Sequence, residues 1–223
     1  MWGFKFPTVI SLCMAIGLVL SVSRDAKADQ GWHNFDVTGT SPDLSFTAAR
    51  ARTDQTVSQE DFRGKIVLLY FGYTNCPDIC PFTLSHAANI LDDLGSTASQ
   101  IRFLFVTVDP DRDTPKILAE YMQDFGPDFI GLRPTPDQLA ALARRYRIAY
   151  SVTPASAGHD EEVVHSSAIY AFDKSGAARL LIPSLGSTTP DIAGTEADLK
   201  RLANESATDG LLAHVRAWFS FGS

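Results

Sequence analysis

The chain has 223 residues, 45% of them apolar and 20% charged, with a formal net charge of −7. That length suits one well-buried domain with additions rather than two full domains. The acidic residues are scattered and no basic stripe is present, which argues against nucleic acid as a partner.

Lys5 precedes an uncharged stretch from Phe6 to Ser23, and Ala26-Lys27-Ala28 fits the small-x-small pattern ahead of signal-peptidase cleavage. The stretch is near the lower limit for spanning a bilayer. Residues 1–28 therefore read either as a cleaved signal peptide or as an N-terminal membrane anchor. Both readings put the body outside the cytoplasm. Cys13 lies inside this leader, which leaves Cys76 and Cys80 for the body.

Residues 29–43 read as a loosely ordered lead-in. Leu44-Ser45-Phe46-Thr47 alternates like a short strand that pairs with the segment around Thr56-Val57. The run from Ile66 to Phe71 is apolar on both faces, as in a central strand covered on both sides. A helix is expected from about Pro81 to Leu94, with apolar residues at helical spacing, ended by Gly95. Ile101 to Val108 is a second strong strand, followed by the polar loop Asp109-Pro110-Asp111-Arg112-Asp113. Thr114-Pro115 opens a helix to about Phe125. Phe129 to Leu132 is a short strand, and Thr135 with Gln138 forms a capping box for a helix to Tyr146. Ser166 to Phe172 and Ala177 to Ile182 read as strands joined by a turn at 173–176. The segment from Pro183 to Thr195 reads as a loop, and a terminal helix is expected around 211–218. The alternation predicts an α/β domain at 44–183 with a central mixed β-sheet flanked by helices, and a C-terminal extension at 184–223. Sites in such folds form where loops leave the strand ends, so the cysteine loop and the Asp109–Asp113 loop are expected to meet at one edge.

Cys76 and Cys80 stand four residues apart where a strand hands over to a helix. That spacing puts them on one face of a first helical turn, near unpaired N–H groups that favour thiolate. Close thiols in an exported protein serve as a structural disulfide, as a redox pair or as soft donors to Cu(I) or Zn. Among the five histidines, His33 and His214 read as surface residues, His86 as pointing to another helix face, and His159 as part of a solvated acidic loop. His165 is different, because it stands at the mouth of the strand Ser166 to Phe172, where an imidazole is held in place. Two thiolates and one imidazole satisfy Cu(I). Cu(II) accepts the same set with a weak oxygen ligand such as Asp78 or Asp111, whereas structural zinc wants a fourth ligand that is not evident.

Tyr70-Phe71-Gly72-Tyr73-Thr74-Asn75-Cys76-Pro77-Asp78-Ile79-Cys80-Pro81 resembles the signature of the Sco/SenC family of copper-handling proteins. Val108-Asp109-Pro110-Asp111-Arg112-Asp113-Thr114-Pro115 and His165-Ser166 follow in the same order as in that family. The resemblance implies a thioredoxin-like fold and a periplasmic location, soluble or tethered to the inner membrane. It implies delivery of one copper ion to the copper-site subunit of cytochrome c oxidase, or upkeep of that subunit's cysteines as thiols by a thiol–disulfide oxidoreductase. Other periplasmic copper chaperones or thiol reductases are further partners under the same reading. Cys76, Cys80 and His165 become the metal ligands, with Cys76 and Cys80 the redox-active pair under the reductase reading. Asp109, Asp111 and Arg112 take a supporting or partner-facing role. Val164 stands where many relatives carry an acid, which changes what can orient the imidazole.

Overall fold

A computed structural model describes residues 31–153, 162–183 and 185–206, with the backbone alone at 152–153 and 162–165. The leader at 1–28, His159, His214 and the helix expected around 211–218 lie outside the described residues. In chain order the elements are β1 (Phe35–Asp36), β2 (Thr47–Arg50), β3 (Thr56–Ser58), β4 (Ile66–Gly72), α1 (Ile79–Leu94), β5 (Ile101–Thr107) and α2 (Pro115–Gln123). Then come β6 (Phe129–Arg133), α3 (Pro136–Tyr146), β7 (Tyr150–Thr153), β8 (Glu162–His165), β9 (Ile169–Phe172), β10 (Ala178–Ile182) and α4 (Ile192–Asn204).

All seven residues of β4 are buried. Its odd and even positions face opposite ways, so each face needs its own cover. Ile66, Leu68 and Tyr70 join a cluster with Leu84 and Ile90 of α1, Leu118 of α2 and Leu199 of α4. Val67, Leu69 and Phe71 join a second cluster with Leu139, Leu142 and Tyr146 of α3. The sheet among the described residues runs β1-β10-β9-β4-β5-β6-β2-β3, and β7 and β8 form a separate two-stranded sheet. β4, β5 and β6 are parallel, while β9 is antiparallel to β4. The mixed central sheet flanked by helices is as expected from the alternation of elements.

Several local readings hold. Thr114 caps α2 with Pro115 at its first turn, and both halves of the Thr135–Gln138 capping box are present. Others shift. β2 begins at Thr47 rather than Leu44, and pairs Ala48 with Val57. Leu44 and Phe46 are buried all the same, because the Tyr146 hydroxyl accepts from the Ser45 N–H and donates to the Asp43 carbonyl. The segment expected to be one strand from Ser166 starts at Ile169, and His165 instead ends β8, opposite Tyr150.

The loop expected through Thr195 contains the start of α4. The signal was weak because the apolar stripe of α4 is narrow and several of its buried positions are polar, including Thr195 and Asp198. Asp198 is 2% exposed. Its carboxylate accepts from the backbone N–H groups of His33 and Asn34 at 3.1 and 2.8 Å, and from the Asn34 side chain at 2.9 Å. The lead-in is thereby fastened to α4. Replacing Asp198 with Ala strands those donors, and chemical denaturation is expected to show a loss of about 2–4 kcal/mol.

Candidate metal and thiol site

β4 and β5 end side by side, with Gly72 opposite Thr107, and the Val108 N–H donates to the Gly72 carbonyl at 2.8 Å. The cysteine loop and the Asp109–Asp113 loop therefore leave the sheet at the same edge, as the sequence predicts. Buried Asp113 joins them. Its carboxylate accepts from the Thr74 N–H at 3.1 Å, from the Thr74 hydroxyl and from the Thr107 hydroxyl. Asp109 pairs with Arg112, whose guanidinium lies 5.9 Å from the centre of the Tyr73 ring. Arg133 of β6 holds the same loop through two bonds to the Pro110 carbonyl, at 3.0 and 2.8 Å. Sequence reasoning named Asp109, Asp111 and Arg112 but missed Asp113. Its signal was a threonine just past one strand, Thr74, and a threonine closing the next, Thr107, which one carboxylate can bridge.

Cys80 lies in the first turn of α1 and is fully buried, whereas Cys76 precedes the helix and is half-buried. The two thiols therefore do not share a helical face as expected, although they do meet and hydrogen-bond. Helix position was expected to favour thiolate. Instead the hydrogen bond with Cys76, together with burial, pushes the Cys80 thiol well up, while the Tyr70 hydroxyl and the Tyr73 backbone pull the other way. Burial, and then Cys76, push Tyr73 up to about 12. Burial also raises Tyr70 and Tyr121.

Gly72 has a steric reason to be glycine. A Cβ there would stand 2.8 Å from the Phe105 ring and 3.0 Å from Cys80 Sγ. Gly186 brings the loop after β10 against α1, where a Cβ would meet the Ile79 carbonyl at 2.5 Å. His86 braces the same contact by donating from Nδ1 to the Leu185 carbonyl at 2.6 Å. The His33 ring lies 4.0 Å from Asp191 and is half-exposed.

The structure describes the backbone of His165 but not its imidazole. β9 pairs Tyr170 with Leu69 in antiparallel register, so residues 166–168 enter β9 at the edge where β4 runs out. The Ser166 N–H donates to the Ala149 carbonyl at 3.1 Å. Among the described residues no cluster of three or more Cys, His, Asp or Glu side chains could hold a metal. The two thiols that do meet are soft donors, a set that fits Cu(I) if a third ligand is supplied.

Burial raises the Asp113 carboxyl above its ordinary value of 3.8, against the pull of its threonine partners. The folded state then holds that proton more tightly than the unfolded chain does. Stability from this group is complete below the ordinary value and is lost as pH rises through the raised one. Asp113→Asn is expected to flatten that part of a pH series of denaturation midpoints. Gly72→Ala is expected to cost about 1–3 kcal/mol by overpacking, and to change the rate at which Cys80 is alkylated.

The family model described as SCO1/SenC matches residues 43–203. The mitochondrial protein SCO2 homolog of Bos taurus is 44% identical over 118 residues, which are 52% of this chain and 44% of that protein. The chain spans less than half the length of the bovine and mouse relatives it matches. Yeast Sco1 with copper bound aligns at 30% identity with a TM-score of 0.66, covering 81% of this chain and 98% of that one. Bradyrhizobium japonicum ScoI with copper bound aligns at 31% identity and a TM-score of 0.63, covering 72% and 98%. BsSco, described as a member of the Sco family of cytochrome c oxidase assembly proteins, shares the fold at 20% identity and a TM-score of 0.57, over 79% and 98% of the two chains. The fold is thioredoxin-like, and the chain belongs to the SCO1/SenC family.

Proposed function

We propose that this protein is a copper carrier that holds one copper ion between the Cys76 and Cys80 thiolates and the His165 imidazole. It passes that ion to the dinuclear copper site of cytochrome c oxidase during assembly. The carrying observation is the meeting of one reachable and one buried thiol at the sheet edge. The scaffold aligns with relatives that bind copper in their own structures. Copper is cargo in this reading. The partly accessible Cys76 is the first sulfur an acceptor thiol can displace, and buried Cys80 the last to let go. Among the described residues no helix is long and apolar enough to cross a membrane. On the sequence pattern of residues 1–28, this stretch is the leader or tether that places the body in the periplasm. The acceptor is the copper-site subunit of the oxidase, with other copper chaperones or thiol reductases upstream.

The same difference in burial favours a second reading, a thiol–disulfide oxidoreductase. Cys76 thiolate attacks an acceptor disulfide, forming a mixed disulfide and expelling one acceptor thiolate. Cys80 thiolate then attacks Cys76, expelling the second acceptor thiolate and leaving a Cys76–Cys80 disulfide. Two electrons pass from the pair to the acceptor.

Titrating the reduced protein with Cu(I) and Cu(II) against a competing chelator separates the two readings. One-to-one binding that weakens about tenfold or more in His165→Ala supports the carrier, on the scale by which perturbing a metal site changes affinity. Binding unchanged by that substitution removes His165 from the ligand set. Negligible binding by the reduced protein sinks the carrier and leaves the reductase.

A further inference from the structure

Tyr70 sits near the end of β4 with none of its surface exposed. Its ring packs against Phe103 and Phe105, with centroids 6.1 and 5.9 Å away. Phenylalanine would suit that apolar slot without the cost of burying a hydroxyl, and Phe103 and Phe105 occupy fully buried sites beside it. The Tyr70 hydroxyl instead reaches Cys80 Sγ at 3.5 Å, a hydrogen-bond separation for an atom as large as sulfur. Residues 70 and 72 share one face of the strand. Gly72 supplies the space on that face, since its missing Cβ would lie 3.0 Å from the same sulfur. The strand thus offers Cys80 one donor and one gap.

We propose that Tyr70 is a positioning residue, whose hydroxyl donates to Cys80 Sγ, holds that sulfur toward Cys76 and favours the dithiol over the disulfide. The proposal rests on the thiols being the working groups of the site, and it does not depend on copper. A thiol or thiolate sulfur accepts a hydrogen bond better than a disulfide sulfur, so a fixed donor stabilises the reduced pair. Oxidation removes two electrons and two protons from the thiols and forms the S–S bond. With glutathione disulfide as oxidant, those electrons and protons leave as two glutathione thiols.

The test is the equilibrium of the metal-free protein with glutathione and glutathione disulfide, comparing wild type with Tyr70→Phe. The variant keeps the ring and loses the donor. A shift of about three- to tenfold toward disulfide is expected, the scale of one hydrogen bond; tenfold corresponds to about 30 mV for this two-electron couple. Tyr170→Phe is the control. It loses the bond from the Tyr170 hydroxyl to the Tyr146 carbonyl at 2.6 Å, in the cluster on the other face of the sheet. It is expected to lower stability while leaving the redox equilibrium within about twofold, less than one hydrogen bond supplies. A change under twofold in folded Tyr70→Phe overturns the proposal, and so does an equal shift in Tyr170→Phe. In the unsubstituted protein the Tyr70 hydroxyl proton should move in the NMR spectrum on oxidation, and an unmoved signal counts against the role. If copper binding fails while the redox shift is present, the carrier reading falls and the positioning role stands.

Discussion

A strand buried along its whole length and on both faces cannot stand at a surface. β4 imposes that condition on everything around it, since its seven residues leave no polar side to turn toward water. Parallel β5 and antiparallel β9 satisfy its backbone groups, while α1 and α4 cover one face and α3 the other. Burial of this kind is the main favourable term in folding, so the geometry at the end of β4 is set by the best-packed part of the molecule. The thiols inherit that placement. Cys80 is part of the first core cluster, and Cys76 touches both.

Polar groups at the edge of this core fasten loops rather than face solvent. Asp113 accepts from Thr74 in the cysteine loop and from Thr107 at the end of β5, Asp109 holds Arg112, and Arg133 grips Pro110 from β6. The Asp113 and Arg133 contacts cross from one segment to another and the Asp109–Arg112 pair braces the loop from within, so the site behaves as one piece. Fixed donors and acceptors of this sort keep a ligand set from drifting, which precision at a working site requires.

The elements legible beforehand were those whose signal is local. The period of β4 and α1, the proline starts of α2 and α3 and the capping box all sit within a few residues. The cysteine pair was legible for the same reason. What could not be read depends on residues far apart in the chain. Asp113 looks like one more solvated acid in a polar loop until folding brings Thr74 beside it. Tyr70 looks like filler in an apolar run until Cys80 Sγ arrives at its hydroxyl. The expectation of a thiolate at a helix start considered the helix and not the burial, and burial helps to push Cys80 the other way. The helix α4 hid because polar residues that bind the lead-in interrupt its apolar stripe.

The strands β7 and β8 pair with each other and not with the eight-stranded sheet. A lone two-stranded ribbon is marginally stable in water, so the two halves of the proposed ligand set stand on foundations of unequal strength. The thiols are rooted beside the core, while His165 is the final residue of the ribbon. Cargo bound across both would lend the ribbon part of its binding free energy, since metal binding couples to folding where a site is not fully preformed. Occupancy would then be written into the chain as local order. Backbone amides of β7 and β8 would exchange slowly with solvent when loaded and quickly when empty, while those of β4 report nothing. An acceptor could sense that difference before any sulfur changes hands.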